Sequence, residues 1–389
     1  MMPLLEGAPV QKGMSVIVRA DCDTAPVRGR IRDDFRLRAL LPTLHLLTRQ
    51  GARIRIIGHR GRPGGTPDRA MSVAPVGRFL ARALGRRVAL VADPFLPGAP
   101  EKYRERGDVL LLENLRFWPG EEKNDPAFAQ ALAAWGEIYV NDAFAVCHRA
   151  HASMVGLPRL LPAYAGIRLT EEIAALERVV KNPARPLIAV VGGAKIETKL
   201  SLIRRFLKDA DSVLVGGALA NTLFAAGGKN IGKSLAEKEA RDALSLLKNK
   251  KLILPSDVLT ADALEAGAAQ YVRLADNVRA GDYIVDIGPA SRRLFAAIIS
   301  EAKTIVWNGP MGFAEVSAYA NGTKSIACAM AENHGFTVVG GGDTVAVLSR
   351  YHLAVGFSHI STGGGAMLAF LAGEKLPGIE ALKYAKGKK

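Results

Sequence analysis

Cysteine is scarce in this chain: three residues in 389, Cys22, Cys147 and Cys328, with no C-x-x-C spacing. That excludes a disulfide-held secreted fold and, with no secretory leader before Met14, points to a reducing cytoplasm. Long apolar runs are lacking too. The longest, such as residues 212–219 and 337–339, fall far short of the roughly 18 residues a membrane-spanning helix needs, so the chain reads as soluble. Aromatic residues are only 6% of the total and do not interleave with the basic ones, as a stacking surface for nucleic acid requires. Acidic residues are in deficit, 37 against 52 Lys and Arg, which leaves a formal charge of +15 and a pI near 9.8. A nucleic-acid binder and an enzyme of multiply anionic substrates both fit that charge. Its distribution favours the enzyme: the arginines are scattered singly, and the one dense tract is KYAKGKK at 383–389.

What is present is 49% hydrophobic residues and 40 glycines without a G-X-Y period, enough for two ordinary domain cores. Short β-branched runs ending in Gly, Asn or Asp alternate with stretches of i, i+3, i+4 apolar spacing, the pattern of a parallel sheet covered by helices. In the first half the runs are SVIVRADC (15–22), RIRIIGH (53–59), VALVAD (88–93), DVLLLEN (108–114) and EIYVNDAF (137–144). In the second they are LIAVVGG (187–193), SVLVGGA (212–218), LILPSDV (252–258), DYIVDIG (282–288), TIVWNGP (304–310) and FTVVGGG (336–342). Between the two series the helical spacing of LTEEIAALERVVKNPARP, closed by Pro183 and Pro186, predicts a stiff connector holding two sheets across a cleft.

GGKNIGKS, residues 227–234, matches the phosphate-cradling G-x-x-x-x-G-K-[ST] pattern. A working loop of that kind follows a strand, so that its backbone N–H groups and the helix after it face the phosphates. Here helix formers precede it, and the same letters read as a glycine-rich helix end followed by Ser234 capping a helix over 235–247. Ligands of open parallel sheets bind beyond the carboxyl ends of the strands. VVGGAKIETK (190–199), VVGGGDT (338–344) and HISTGGGA (359–366) lie there. They offer Lys195 at a helix start, Asp343 for Mg²⁺ and Thr344 as a cap. Any one glycine turn can be steric; three in one half favour a nucleotide site. The first half instead sets Arg19, Asp21, Arg36, His59, Arg62, Arg116 and Arg149 near strand ends, with histidines beside two of them. Guanidinium groups so placed suit phosphate and carboxylate, and the set reads as a small-anion pocket.

At these residues the sequence resembles the phosphoglycerate kinase family nearly end to end. GHRGRP, LLENLRFWPGEEKND, VNDAFAVCHRAHAS, VVGGAKIETK, LPSDV, DIGPAS, TIVWNGPMG, VVGGGDT and SHISTGGGAMLAFLAGEKLPG carry the likeness, and IGKSL belongs in that family to a loop that is not a phosphate cradle. The resemblance implies an α/β fold of two Rossmann-like parallel-sheet domains joined by a helix, with the carboxyl-terminal segment packing back on the first domain. The implied boundaries are 1–169 for the acid-binding domain, 170–185 for the connecting helix, 186–375 for the nucleotide domain and 376–389 for the returning segment. Asp21, Asp23, Arg36, His59, Arg62, Arg116 and Arg149 would bind 3-phosphoglycerate. Arg36, Lys195 and Gly363 would be catalytic. Gly192, Gly193, Gly216 and Gly217 would line the adenine pocket, with Lys199 at the nucleotide phosphates and Asn308 and Glu315 at the nucleoside and ribose. Gly342, Asp343, Thr344, Gly364 and Gly365 would meet the phosphates, Asp343 holding Mg²⁺ with ATP or ADP. The implied state is a cytoplasmic monomer with small-molecule substrates and no membrane or nucleic-acid partner.

Four departures from the family pattern stand out. Asp23 replaces an asparagine next to the acid, and a carboxylate there repels an anion unless an arginine neutralises it. Thr198, Phe313-Ala314 and Ala218 alter the nucleotide side, where they bear on purine preference. Two rival readings make different forecasts. A basic nucleic-acid binder would show steeply salt-dependent affinity without phosphoryl transfer, and a phosphate-loop ATPase would depend on Lys233 rather than Lys195.

Overall fold

The computed structural model describes every residue except 1, 28, 32, 105–108, 194–198, 238–242 and 386–389. The chain divides into two compact units, Met1–Ala174 with Lys375–Lys389, and Ala175–Glu374. The first is built on a parallel sheet that runs from edge to edge as Val88–Val91, Val109–Leu112, Arg53–Ile57, Ser15–Arg19, Ile138–Asn141 and Ala163–Ala165. Residues such as Val16 opposite Ile54 and Val18 opposite Ile56 are closed off from water. Helices cover both faces of such a sheet, so its strands read as unbroken apolar runs. The helix Phe35–Arg49 buries Leu37, Leu40, Leu44 and Leu47 in that core, at the three- and four-residue spacing of one helical face.

The second unit carries a parallel sheet ordered Leu252–Ile253, Ser212–Val215, Leu187–Val191, Thr304–Asn308, Phe336–Gly340 and His359–Ile360. Numbered along the chain this is 3-2-1-4-5-6, the doubly wound order whose direction reverses between the first and fourth strands. Val191 and Asn308 end those two strands, so the glycines after each lie at the switch point.

Three expectations are corrected. LILPSDV is not one strand: it breaks at Pro255, and Asp257–Ala261 passes into a separate antiparallel sheet between Gln270–Leu274 and Tyr283–Ile287. DYIVDIG thus belongs to that small sheet rather than to the parallel one. The third concerns GGKNIGKS, where the region after Ser234 is not a helix over 235–247. Residues 235–237 are irregular, 238–242 lie outside the described residues, and the helix there is Ala243–Leu246. Ser234 does not cap it; its hydroxyl oxygen accepts from the Ile284 amide at 2.7 Å and its hydroxyl donates to the Ile231 carbonyl. Helix Gly217–Ala226 precedes the motif and no strand runs into it, so its context is not that of a phosphate loop.

The connecting helix is Ile167–Val180. Its first turn is held in the first unit, where the Ile167 amide donates to Thr43 Oγ1 at 2.9 Å and the Leu169 amide to Asp142 Oδ1 at 3.0 Å. Its last turn belongs to the second unit, with the Arg178 guanidinium 4.0 Å from the centre of the Phe336 ring. At the other end of the chain, helix Pro377–Lys383 packs on the first unit, and the Gly378 amide donates to the Cys147 carbonyl at 2.9 Å.

Candidate active site

In the first unit the expected acid-binding residues meet at the carboxyl ends of the strands Ser15–Arg19 and Arg53–Ile57. Arg36 lies 3.4 Å from Asp21 Oδ2 and donates to the Asp23 carbonyl at 3.2 Å. Asp23 Oδ1 accepts from the Gly61 amide at 2.9 Å, and the Gly61 carbonyl accepts from Arg116 at 2.8 Å. One backbone turn therefore gathers Asp21, Asp23, Arg36 and Arg116. Burial raises the Asp21 carboxyl above its ordinary range, against the lowering field of Arg36. Arg116 is pushed down by burial and supported by Glu122, 3.1 Å from its Nε. Arg62 and Arg149 are exposed.

His59 is buried, and burial first, then the fields of Arg19 and Arg116, hold it well below its ordinary range. It is neutral at physiological pH. Arg19 donates toward His59 Nδ1 across 3.0 Å; arginine has only donors, so Nδ1 is the acceptor and the ring proton sits on Nε2. His151 is pushed down to about 4, by burial and then by Arg116.

Arg19, a candidate ligand by sequence, proves to be internal. It is fully buried, donates to Ser153 Oγ at 2.8 Å and lies 3.9 Å from the buried Glu121, which also accepts from the Ser153 amide and hydroxyl at 2.9 and 2.6 Å. Its task is to orient His59. Glu113, Asn114 and Glu121 are positioning residues that sequence reasoning did not single out. Glu113 accepts from the Ser72 hydroxyl and the Val73 amide, and Asn114 donates to the Arg60 and Met71 carbonyls. Their partners lie from about 30 to about 100 residues away in the chain, so only the motif LLENLRFWPGEEKND marked them.

In the second unit the switch point is closely packed. A side chain on Gly217, which sits at φ +65°, would meet the Gly193 nitrogen at 2.7 Å and the Pro310 carbonyl at 2.8 Å, and one on Gly216 would strike Met311. Gly192 is likewise pressed against Pro310 and Met311. These glycines let three loops touch along their backbones. Beside them opens a cavity of about 380 Å³ whose wall is mostly apolar, with Phe224, Val258 and Met311 prominent. Gly193, Gly217, Glu315 and Asp343 line it.

Lys199 is buried, donates to the Gly192 carbonyl, and is lowered by burial to about 8 against the supporting field of Asp343. Asp343 is exposed in the first turn of helix Gly342–Arg350. Thr344 and Asn308 face inward: Thr344 Oγ1 accepts from the Gly309 amide at 2.8 Å, and the Asn308 amide nitrogen donates to the Gly340 carbonyl at 2.9 Å. Both brace the turn. Gly363 precedes helix Gly364–Leu371, and Gly364 closes on Gly341, so two helix starts converge. Gly365 is exposed there. Lys195 lies outside the described residues.

A cationic set on one parallel sheet, and on the other an apolar cavity at the switch point bordered by a lysine and a carboxylate, define a nucleotide-dependent phosphotransferase. The chain belongs to the phosphoglycerate kinase family, whose model matches residues 9–374. It is 44% identical over 375 residues to the phosphoglycerate kinase of Moorella thermoacetica, covering 94% of this chain and 95% of that one. To that of Desulfosudis oleivorans it is 43% identical over 382 residues, covering 95% and 96%. The solved phosphoglycerate kinase of Coxiella burnetii superposes with a TM-score of 0.86 at 38% identity, covering 99% of this chain and 100% of that one. That of Pyrococcus horikoshii gives 0.87 at 32%, with 98% of each chain covered. The protein is a kinase of glycolysis that exchanges a phosphoryl group between ATP and the carboxylate of 3-phosphoglycerate.

Proposed function

We propose that the first unit holds 3-phosphoglycerate on Asp21, Asp23, Arg36, His59, Arg62, Arg116 and Arg149, and that the second holds the nucleotide in the cavity beside Gly193, Gly217, Glu315 and Asp343. The observation that carries this division is the cavity itself. Its lining joins an apolar wall for a base to Lys233 and to Asp343 of the glycine-led helix Gly342–Arg350. Lys199, bonded to Gly192 next to the lining Gly193, and the second helix start at Gly364, closed on Gly341, flank it, and backbone N–H groups at helix starts favour anions.

An acceptor carboxylate with a pKa of about 4 is already ionised at neutral pH, so the reaction needs no general base. The work left to the protein is alignment and charge. Arg36 and Lys195 would face the migrating group, and Gly363, whose amide donates to Ser361 Oγ at 3.2 Å in this structure, would turn that amide to it. Lys199, Gly342, Thr344, Gly364 and Gly365 would serve the nucleotide phosphates, Gly192 and Gly216 the base pocket, and Asn308 the nucleoside loop. Neutral His59 would offer the acid its Nε2 proton.

Among the described residues no three carboxylate, His or Cys side chains gather into a metal cluster. Asp343 stands exposed at the cavity, which suits Mg²⁺, an ion usually carried by one or two carboxylates together with substrate phosphates. When bound it would neutralise phosphate charge. The substrates belong to separate domains, so closure about the 170–185 connector would bring them together and exclude water. A monomer in the cytoplasm completes the reading; no described helix is long and apolar enough to cross a membrane.

The test is a coupled assay of ATP and 3-phosphoglycerate turnover with Mg²⁺, run on the wild type and on Lys195→Ala and Lys233→Ala. Turnover lost with Lys195 and kept with Lys233 supports the assignment. The reverse pattern would return the phosphate chemistry to GGKNIGKS.

A further inference from the structure

Asn221 sits in the second turn of helix Gly217–Ala226, is 2% exposed and lines the cavity with Phe224, Leu235 and Met311. Its amide nitrogen donates to the Leu235 carbonyl at 3.3 Å, while Oδ1 is buried and has no hydrogen-bond partner among the described residues. The orientation is determined by that one bond. Turned over, the amide would set oxygen against the Leu235 oxygen. Buried acceptors are rarely left unsatisfied, and each one that is calls for an explanation. Two other acceptors on the wall are already engaged: Asp286 accepts from the Ile287 and Gly322 amides at 2.9 and 2.7 Å, and the Ser234 hydroxyl from the Ile284 amide. An acceptor sealed into a cavity wall finds its donor in whatever the cavity admits.

We propose that Asn221 is a specificity-determining residue, its Oδ1 accepting from the amino group of a 6-aminopurine nucleotide and disfavouring the carbonyl oxygen of a 6-oxopurine. The proposal rests on the reading that this cavity holds the nucleotide base. Adenine brings an N–H donor to the wall at that edge. Hypoxanthine and guanine bring an acceptor, which leaves two oxygens facing one another with no proton between them.

The experiment compares kcat/KM for ATP, for inosine triphosphate and for the triphosphate of purine riboside, which has no substituent at the 6-position. It uses 3-phosphoglycerate as acceptor, with the wild type, Asn221→Ala and Asn221→Ser. The wild type should prefer ATP to inosine triphosphate by about tenfold or more, because a site that leaves a polar group unpaired rejects the analogue. Purine riboside triphosphate should fall between them. In the variants the ATP value should drop, the inosine triphosphate value should rise as the oxygen–oxygen opposition is removed, and the three values should converge while the KM for 3-phosphoglycerate is unchanged. Equal efficiencies for the three nucleotides in the wild type would overturn the proposal. So would ratios unchanged in a folded variant, the result if a trapped water satisfies Oδ1. If the variants fail to fold, the wild-type series alone decides. Absence of turnover with every nucleotide would instead strike at the activity, and the rise in melting temperature with ADP against inosine diphosphate would still decide the role of Asn221.

Discussion

Asp23 puts a negative charge among groups proposed to receive an anion, and its surroundings explain how the fold accommodates it. Oδ1 is capped by the Gly61 amide, Arg36 holds its carbonyl, and Arg60 and Arg116 both feel its field. Asp23→Asn keeps the acceptor for Gly61 and removes only the charge. The KM for 3-phosphoglycerate should fall by about two- to fivefold, the effect of about 1 kcal/mol between charges separated by water-rich space. Steady-state kinetics at low salt checks this; an unchanged or higher KM would show that the arginines already cancel the charge. Lys199 gives a pH dependence of definite sign. Its ammonium, lowered to about 8 from an ordinary 10.5, is charged at neutral pH and lost as pH rises through about 8. The efficiency for ATP should therefore fall through that pH, while Lys199→Met should be about 10- to 100-fold weaker at pH 7, the loss of one charge-assisted hydrogen bond, and show no break there. Folding stability should move the other way. Between about 8 and 10.5 the unfolded chain binds the proton more strongly than the folded one, so this lysine's burial penalty is relieved as pH rises.

The glycine turns act as elements rather than as single residues. Gly217 lies at φ +65°, between the strand Ser212–Val215 and its helix, in contact distance of both Gly193 and Pro310. Gly217→Ala adds strain at a left-handed position and pushes the three loops apart. We expect about 1–3 kcal/mol lost from nucleotide binding, with the affinity for 3-phosphoglycerate intact, as calorimetric titration of each ligand alone would reveal. Such turns were legible in the sequence because a strand, two glycines and a helix succeed one another within ten residues. The long β-branched strands were legible for the same local reason. Ala163–Ala165 and His359–Ile360 were not, since strands of three and two residues leave no periodicity to read. The assignment of Tyr283–Ile287 to an antiparallel sheet was equally hidden, because its partner Asp257–Ala261 lies beyond a break at Pro255 that local pattern does not reveal. Arg19 looked like a ligand because it ends a strand beside a carboxylate. Only Ser153 and Glu121, more than a hundred residues on, turn it inward.

At the scale of the whole molecule, the proposed division of the substrates asks that the two units bring them together, and one helix, Ile167–Val180, spans the border of the units. The border of the units falls within Ile167–Val180, at Ala174 and Ala175. Each end is tied to a different core: Leu169 to Asp142, at the end of the strand Ile138–Asn141 of the first sheet, and Arg178 to Phe336, at the start of a strand of the second. Burial raises Asp142 to about 7 against its bonds to Thr43 and Leu169, so this tie works with a carboxyl that is partly protonated at neutral pH. A stiff helix transmits rotation from one core to the other, and a softened one does not. Ala174→Gly with Ala175→Gly costs about 1 kcal/mol per site in helix propensity and touches no ligand group. If closure about this helix limits turnover, kcat should fall severalfold while the dissociation constants of ATP and 3-phosphoglycerate, each measured alone, stay at wild-type values. Small-angle scattering should then show less compaction with both substrates present than in the wild type. Equal kcat and equal compaction would place the hinge elsewhere in the chain. A loss of affinity for either single substrate would mean that the helix shapes the sites themselves rather than the motion between them.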